Sequence, residues 1–347
     1  GIVMNVVFSS SDLYAKCTGI AIYSLLTSNK HIEMLNIYLI TTDMTNSNQQ
    51  KIKNMCISFG RNIKIIEATE ILKAAQNELA LADFKGGLNT YVRAMANKIM
   101  PSDVKRALFV DSDLMFTGSI EEIEKLEMGN NVIAGVPEIM LLTKSVCYED
   151  EELLEACKNY VNYGVVYINL ENWRKLDGDK KIKECVVNAK NPFKIAEQSI
   201  MNLTFKDHTM IIPVKYNYYT ILHGISYKNL CKWYQRRRVF SENELQQAEN
   251  NPIIIHFVGD YFNRPWYNNN ICRFKDTYME YYLKSPWGNE PLDSSPEDFS
   301  VIFKVYYSIL IFLRKNYFDT TYFKLRYIVV QWFRERIPGI DKIRRKV

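Results

Sequence analysis

Strand-like and helix-like segments alternate over residues 1–135, and few folds accommodate that order. Apolar runs typical of strands occur at IVMNVVFSS, LNIYLITTD, NIKIIEA and RALFV. Between them lie three helix patterns, AKCTGIAIYSLLTSN, NSNQQKIKNMCISFG (which Gly60 ends) and TYVRAMANKIMP (which stops near Pro101). This order predicts an α/β fold with a mostly parallel sheet and helices on both of its faces.

The later segments continue the pattern without a linker. NNVIAGVPE, NYGVVYINLENWR, HTMIIPVKYNYY and NPIIIHFVG predict strands, and the second of these leads into a helix. FKIAEQSIMNLTF, KNLCKWYQRRRVF and SENELQQAEN predict helices. Turn residues concentrate in EPLDSSPEDFS, residues 290–300. We therefore expect one domain over residues 1–290 and a separate region over residues 291–347.

Two aspartates end the strand pattern RALFV. Asp111 and Asp113 directly follow its apolar residues 107–110 in RALFVDSDLMF. Carboxylates are rarely buried without a partner, and a divalent cation can neutralise two of them together. Ligand sites in open α/β sheets lie at the carboxyl ends of strands. The stretch therefore predicts a metal or ligand site at this end of the sheet.

The cysteines and the first residues indicate the compartment. The seven cysteines are scattered, with no C-x-x-C pair, which predicts reduced thiols. The opening GIVMNVVF is too short for the apolar core of a secretory signal and predicts a first strand. Both observations predict a cytoplasmic protein.

The end of the chain is strongly basic. Residues 301–347 hold eleven Lys or Arg and three Asp or Glu, a net charge of +8 against +5 for the whole chain. The apolar run VYYSILIFL is nine residues long, whereas a membrane span needs about 20. Aromatic and basic residues then interleave, and one helical face could combine Tyr322, Phe323, Tyr327, Val330, Trp332 and Phe333 with Lys324, Arg334 and Arg336.

We therefore predict that residues 291–347 form a basic, aromatic-rich helical tail. Such a tail would bind anionic lipid at the inner face of the plasma membrane. The alternative is that its apolar face packs on the rest of the chain. Nucleic acid is not expected as a partner, because no recognisable binding module accompanies the charge.

Six blocks, in order, resemble glycosyltransferase family 8, which includes bacterial lipooligosaccharide galactosyltransferases and glycogenin. The blocks are FSSSDLYAKCTGIAIYSLL, NTYVRAMANKIMP, RALFVDSDLMF, VNYGVVYINLENWR, AEQSIMNLTF and IIHFVGDYFNRPW. The resemblance implies a GT-A fold, with a Rossmann-like mixed sheet flanked by helices. It also implies a UDP-sugar donor, Mn²⁺ and retention of the anomeric configuration. The donor-binding half would span about residues 1–135, and the acceptor-side elements about residues 136–290.

The resemblance also implies the metal ligands. Asp111 and Asp113 match the family's metal-binding pair, and His256 matches its third ligand. An imidazole beside two carboxylates favours Mn²⁺, with Mg²⁺ a possible substitute.

Further residues match the family's donor contacts. Tyr14 matches the aromatic that stacks on uracil. Ser11 stands where many members carry an acid that contacts the base, and Asp12 follows it. Other matched or adjacent positions are Arg93, Ser112, Asn162, Gly259 and Arg264. Arg264 replaces a lysine, and its guanidinium can hold a diphosphate by forked hydrogen bonds. The stretch from His256 to Arg264 is two residues longer than the family pattern.

Glu197 and Gln198, in AEQS, match the positions beside the reacting carbon of the donor sugar. The family has Asp where this chain has Glu197. A carboxylate can act as a nucleophile, whereas an amide is a poor one. Double displacement through Glu197 therefore stays open, and we favour front-face return, in which the departing phosphate deprotonates the acceptor hydroxyl.

The resulting prediction is a hexosyltransferase. The resemblance favours galactose, with glucose possible, and the expected acceptor is a bacterial surface glycan, a glycolipid or a glycoprotein. The sequence also allows two alternatives. A Mg²⁺-dependent phosphohydrolase could use the paired aspartates, although DSDLM departs from the D-x-D-x-[TV] pattern. A non-enzymatic protein could bind anionic lipid through the tail.

Overall fold

The computed structural model describes residues 1–83, 88–138, 151–190, 193, 195–233, 240–294 and 301–336. The described strands are β1 (Val3–Ser9), β2 (Met34–Thr41), β3 (Ile63–Glu67), β4 (Arg106–Val110), β5 (Leu114–Phe116), β6 (Ile133–Pro137), β7 (Val161–Asn169), β8 (Thr209–Ile211), β9 (Tyr218–Tyr219) and β10 (Ile254–His256). The described α-helices are α1 (Ala15–Ser28), α2 (Asn46–Ser58), α3 (Thr69–Glu78), α4 (Ala96–Ile99), α5 (Glu121–Glu124), α6 (Glu151–Ala156), α7 (Leu170–Lys175), α8 (Gly178–Val187), α9 (Ala196–Thr204), α10 (Tyr227–Trp233), α11 (Glu242–Asn250), α12 (Lys275–Lys284), α13 (Val301–Lys315) and α14 (Asp319–Arg336).

Seven strands form one mixed sheet in the order β3-β2-β1-β4-β7-β6-β8. β1 runs parallel to β2 and to β4, whereas β7 pairs with β4 in the antiparallel direction. Successive side chains of β1 point to opposite faces of the sheet and therefore pack in different hydrophobic cores. Val6 and Phe8 pack in one core with α1 and α2, and Val7 packs in the other with α3. The predicted α/β architecture is therefore confirmed.

Two sequence predictions were too simple. TYVRAMANKIMP is not one helix: a 3₁₀ turn over Leu88–Tyr91 precedes the short α4. The reason is that the backbone N–H groups of Arg93 and Ala94 donate to the carboxylate of Glu197. HTMIIPVKYNYY contains β8 and β9 with a 3₁₀ turn over Val214–Tyr216 between them, since Pro213 cannot donate to a ladder.

A small second sheet, ordered β5-β10-β9, lies beside the large one. β10 is antiparallel to β5, with His256 opposite Leu114, and parallel to β9, with His256 opposite Tyr219. Leu114 directly follows Asp113, so this register brings the histidine next to the aspartate pair.

The described part of the tail, residues 301–336, forms the helices α13 and α14, as predicted, and both pack on the rest of the described structure. Tyr307, Leu310, Tyr322 and Phe323 belong to the same core as β1 and α1. Tyr322 is fully buried and Phe323 is 6% exposed, so these two side chains do not face outward as the membrane prediction required.

An ion pair and its hydrogen bonds also stabilise the contact between the tail and the rest of the molecule. The buried Arg314 pairs with Asp319 and donates to the carbonyl oxygen of Ile221 at 2.7 Å. Within the described part of the chain, no helix has the length and hydropathy of a membrane span. Six described cysteines are free thiols, as expected, and Cys147 lies outside the described residues.

Candidate active site

The site begins where β1 and β4 end side by side. Because the two strands are parallel, with Phe8 opposite Val110, residues 9–11 and 111–113 meet at one sheet edge. The Ser112 hydroxyl donates to the carbonyl oxygen of Ser9 at 3.1 Å. The Thr18 hydroxyl reaches the Ser112 hydroxyl at 2.7 Å from α1. The loop that carries the two aspartates is thus fixed to the end of β1.

Asp111, Asp113 and His256 form a compact ligand set. One donor atom from each lies within 4.8 Å of the others. His256 Nε2 is 3.2 Å from Asp113 Oδ1 and 3.8 Å from Asp111 Oδ2. Two carboxylates and one imidazole, all converging on one point, fit a divalent transition ion. The three residues matched from the sequence are therefore together in space.

The charges of this set perturb one another. Burial alone would raise the pKa of Asp113, but His256 and Arg264 outweigh it and hold that pKa below its ordinary value. Burial alone would lower the pKa of His256, but Asp113 and Asp111 outweigh it and raise that pKa. The carboxylates and the imidazole thus each favour the charged form of the other.

A layer of amides and a glycine orients the histidine. Asn217 Oδ1 lies 2.9 Å from His256 Nδ1, and Asn217 Nδ2 donates to Asn162 Oδ1 at 2.9 Å. With its amide oxygen facing Nδ1, Asn217 leaves Nε2 directed at the carboxylates. Gly164 lies beneath the ring, since a Cβ there would be 2.3 Å from His256 Cε1 and 2.9 Å from Asp111 Oδ2.

Arg93 connects this cluster to Glu197. Its Nη2 donates to Asp111 Oδ1 at 2.5 Å, and its Nη1 is 3.7 Å from Glu197 Oε2. Glu197 Oε1 accepts from the backbone N–H groups of Arg93, at 2.5 Å, and Ala94, at 2.9 Å. Burial raises the pKa of Glu197 to about 7, against the opposing effects of Arg93 and these two N–H groups. Glu197 therefore holds the turn that presents Arg93.

An open cavity of about 330 Å³ lies over the sheet edge. It is lined by residues from both strand ends, from the 3₁₀ turn before Arg93 and from the segment after β10: Ser9, Ser10, Ser11, Tyr14, Asn89, Thr90, Arg93, Asp111, Ser112, Asp113 and Arg264. Seven of these eleven residues were predicted from the sequence. Tyr14 is 40% exposed, so its ring is open to a ligand.

Three buried polar atoms of cavity residues lack partners. Among the residues that the structure describes, Asn89 Oδ1, Arg93 Nε and Arg264 Nε have no hydrogen bond. Buried polar atoms are normally satisfied. One acceptor and two cationic donors around one cavity are therefore suited to a ligand with an N–H group and anionic oxygens.

Asp12 is engaged elsewhere. Its Oδ1 accepts from the backbone N–H and the hydroxyl of Thr45, both at 2.8 Å, and from Asn48 Nδ2 at 2.9 Å. The Asn48 amide and the two Thr45 groups lower its pKa. This carboxylate ties the start of α1 to the start of α2, and in the described structure it is not part of the cavity lining.

Asn162 and Gln198 meet at a carboxylate that the sequence did not reveal. Asn162 Nδ2 and Gln198 Nε2 both donate to Glu138 Oε2, at 2.5 and 3.1 Å. Gln198 Oε1 accepts from the backbone N–H of Tyr163 at 3.0 Å. Glu138 is only 6% exposed. The two predicted residues are thus held in fixed orientations by Glu138 and β7.

Gly259 and Arg264 lie in the loop that follows β10. Gly259 has φ of +125°, and a Cβ there would be 2.9 Å from Asn263 Nδ2. The structure therefore requires glycine at this position because of the loop's own packing. Arg264 lies over the ring of Trp266, with its Cζ 5.8 Å from the ring centroid.

Sequence reasoning missed Asn89, Glu138, Gly164 and Asn217. Asn89 and Gly164 stood inside quoted blocks, NTYVRAM and VNYGVV, but no local feature distinguished them. Glu138 and Asn217 reach the site only through the β6–β7 and β9–β10 pairings. A pattern read along the chain does not contain those pairings.

The chain is similar to known glycosyltransferases over most of its length. Residues 5–270 match Glycosyl transferase family 8. The lipopolysaccharide 1,2-glucosyltransferase of Escherichia coli (strain K12) is 24% identical over 314 residues, which cover 85% of this chain and 81% of that protein. The lipopolysaccharide 1,3-galactosyltransferase of Salmonella typhimurium is 20% identical, covering 82% of this chain and 79% of that protein.

Solved structures show the same architecture. The bifunctional glycosyltransferase WbbM superimposes with a TM-score of 0.70 at 20% identity, covering 83% of this chain and 51% of WbbM. The galactosyltransferase LgtC superimposes with a TM-score of 0.63 at 18% identity, covering 85% of this chain and 98% of LgtC. The predicted GT-A fold is confirmed by this likeness and by the mixed sheet. The chain belongs to glycosyltransferase family 8.

Proposed function

We propose that this chain is a retaining hexosyltransferase that uses a UDP-sugar donor and Mn²⁺, which Mg²⁺ can replace. The observation that carries the proposal is the convergence, on one cavity, of the Asp111–Asp113–His256 set and two arginines with unpartnered Nε atoms. A diphosphate needs a cation and directed N–H donors, and this cavity supplies both kinds of group.

The leaving diphosphate would lie between the ligand set and Arg264. A divalent ion held by Asp111, Asp113 and His256 would supply Lewis acidity that stabilises the charge the diphosphate gains. Arg264 would donate to phosphate oxygens from the opposite side. Arg93 would keep Asp111 oriented and donate from its unpartnered Nε.

The uridine would occupy the end of the cavity formed by Ser11, Tyr14 and Asn89. The exposed ring of Tyr14 offers a stacking surface. Asn89 Oδ1 is a buried acceptor that suits the N–H of a uracil ring. Because the Asp12 carboxylate is occupied at the start of α2, we assign base recognition to Asn89 and Ser11 instead.

The contacts of Glu197 and Gln198 favour front-face return. Glu197 Oε1 is engaged by two backbone N–H groups, and both polar atoms of Gln198 have partners. Neither side chain is arranged as an available nucleophile. The departing phosphate would therefore take the proton of the acceptor hydroxyl.

The relatives bear on the sugar and the acceptor. They include a glucosyltransferase and a galactosyltransferase, both named for lipopolysaccharide. We propose glucose or galactose as the transferred hexose, where the family resemblance alone favoured galactose. The proposed acceptor is a growing bacterial surface glycan, such as a lipopolysaccharide.

We also propose that the enzyme binds the inner face of the plasma membrane through α13. Tyr322 and Phe323 of α14, which the sequence placed on the membrane-binding face, are buried. Val301, Val305, Ile309 and Phe312 follow one another at helical spacing and are 45–77% exposed. Lys304 and Lys315 lie on the same helix. An exposed apolar stripe with lysines suits an anionic bilayer, in line with the net charge of +8 at the end of the chain.

A donor screen tests the catalytic proposal. The chain is incubated with UDP-glucose, UDP-galactose and GDP-mannose, with Mn²⁺ or with EDTA, and nucleoside diphosphate release is measured. We expect UDP release from one of the two UDP-hexoses with Mn²⁺ but not with EDTA. We expect no GDP release from GDP-mannose. Release that is equal in EDTA, or absent with every UDP-sugar, would refute the proposal.

A further inference from the structure

The loop that follows His256 is held by the tail helix α14. The Tyr322 hydroxyl donates to Asp260 Oδ2 at 3.0 Å. Arg326 Nε donates to the same oxygen at 3.1 Å, and Arg326 Nη2 donates to Asp260 Oδ1 at 3.4 Å. The side chains of Asp260 and Arg326 are only 12% and 15% exposed. A forked, largely buried pair of this kind fixes both partners in one geometry.

Local folding does not account for the direction of the Asp260 side chain. Asp260 is the N-cap residue of the 3₁₀ turn Tyr261–Asn263, where an aspartate usually accepts from an N–H of the turn. Its side chain makes no such capping bond and is directed at α14 instead. The carboxylate therefore serves the contact between the loop and the tail.

Tail aromatics also pack against the turn that follows Asp260. The fully buried ring of Phe262 packs edge-on against Tyr322 and Tyr307, with centroid distances of 6.5 and 6.1 Å. Asn263 Nδ2 donates to the Tyr322 hydroxyl at 3.4 Å. Side chains of both tail helices thus contact the turn at the middle of the loop.

The loop joins two groups of the donor site. His256 lies at its start, and Arg264 lies at its end, where the Arg264 N–H donates to the carbonyl oxygen of Tyr261 at 3.0 Å. Asn263 also limits the loop from within, because it lies where a side chain at Gly259 would be. A shift of the Asp260 turn would therefore displace Arg264 relative to the cavity.

We propose that Asp260, Tyr322 and Arg326 are positioning residues, through which the docked tail sets the loop over residues 257–264 and places Arg264 at the diphosphate. This role rests on the proposed donor site. Because Asp260 Oδ2 accepts from both Tyr322 and Arg326, substitution of any one of the three residues weakens the contact.

The test compares two buried aspartates that pair with tail arginines. Asp260→Asn weakens the contact with the loop. Asp319→Asn is the matched control, because Asp319 is 8% exposed and pairs with Arg314 and Arg273 rather than with a residue of the loop. UDP affinity with Mn²⁺ is measured by calorimetry, and deuterium uptake is measured over residues 257–264.

Asp260→Asn should weaken UDP binding about tenfold, as loss of a supporting partner commonly does, and should raise uptake in the loop. Asp319→Asn should lower the melting temperature and keep the UDP affinity of wild type. Arg326→Lys, which retains the charge, should recover part of the affinity that Arg326→Ala loses. If Asp260→Asn does not fold, the comparison of these two Arg326 variants tests the same contact.

Equal UDP affinity in wild type and Asp260→Asn, with unchanged loop uptake, would overturn the inference. So would equal losses of affinity in Asp260→Asn and Asp319→Asn, because that result indicates general destabilisation. If wild type itself binds no UDP with Mn²⁺, the proposed function fails. Loop uptake in Asp260→Asn, compared with Asp319→Asn, then decides whether the tail orders this loop.

Discussion

At the scale of single residues, the space beneath the ligand set depends on one glycine. Gly164 has three site atoms close to where a Cβ would be: His256 Cε1 at 2.3 Å, Asn162 Oδ1 at 2.8 Å and Asp111 Oδ2 at 2.9 Å. None of these neighbours can move without disturbing the ligand set or its hydrogen bonds. The proposed metal site therefore requires that position 164 carry no side chain.

Gly164→Ala should weaken Mn²⁺ binding about 10- to 100-fold, because the added methyl displaces His256 and Asp111. Its cost in unfolding free energy should be about 1–3 kcal/mol, as for other overpacked sites. Gly178→Ala is the matched control, since its Cβ would be 2.5 Å from Trp173 Cδ1, away from the ligand set. Manganese titration should separate the two variants. Equal Mn²⁺ affinity in both would contradict the role given to Gly164.

Glu197 makes the stability of the protein depend on pH. Its folded-state pKa is about 7, above the ordinary 4.5. Between these values the folded chain keeps a proton that the unfolded chain has lost, so this group lowers the free energy of unfolding as pH rises. Glu197→Gln cannot titrate, and its amide oxygen can still accept from the two backbone N–H groups.

The unfolding free energy of Glu197→Gln relative to wild type should therefore increase from about pH 4.5 to about pH 7 and then level off. Urea unfolding of both proteins at several pH values measures the difference directly. A difference that stays constant across this range would show that Glu197 is charged in the folded protein throughout.

At the scale of elements, two strand pairings assemble the site. The β1–β4 pairing brings the serines together with the aspartates, and the β5–β10–β9 sheet brings His256 and Asn217 to them. Asn217 lies one residue before β9, which explains why its amide reaches the ring of His256.

Asn217→Leu should weaken Mn²⁺ binding by about tenfold, because the imidazole loses the acceptor that fixes its orientation. Asn29→Leu is the control, since Asn29 is an equally buried amide that bonds to Gly118 and Ile120 instead. Both variants should be less stable than wild type, but only Asn217→Leu should shift the Mn²⁺ titration. A shift of equal size in both would assign the effect to the fold.

These pairings also mark the limit of sequence reasoning. Asp111 and Asp113 could be predicted because an apolar strand and two carboxylates stand in one short stretch. The helix predicted through Arg93 was wrong because Glu197, 104 residues away, takes the backbone N–H groups that a helix would use. Glu138 and Asn217 stayed hidden for the same reason, since strand pairing over long separations brings them to the site.

At the scale of the whole molecule, the tail is both a part of the core and an exposed surface. Tyr307, Leu310 and Tyr322 are buried with the core of the domain, and each buried side chain of this size contributes about 1.5–3 kcal/mol. The apolar stripe of α13, by contrast, faces outward. The sequence predicted that the tail is helical and basic. It did not show which of the tail side chains would pack on the domain.

Val305→Asp should abolish binding to phosphatidylglycerol vesicles at low salt, because it places a carboxylate in the centre of the α13 stripe. UDP affinity should not change. Ile57→Asp is the control, since Ile57 is a similarly exposed apolar residue on α2, 62% against 55% exposed. Vesicle sedimentation measures both variants, with phosphatidylcholine vesicles as the neutral comparison. Binding by Val305→Asp at the level of Ile57→Asp would exclude α13 as the membrane surface.

The central claim is that the cavity at the ends of β1 and β4 binds a nucleoside diphosphate through a divalent ion held by Asp111, Asp113 and His256. Calorimetric titration of UDP, with and without Mn²⁺, into wild type and Asp113→Asn tests it most directly. Wild type should bind UDP at least about tenfold more tightly with Mn²⁺, and Asp113→Asn should lose that gain. UDP affinity that does not depend on Mn²⁺ in wild type, or a gain that persists in Asp113→Asn, would contradict the claim.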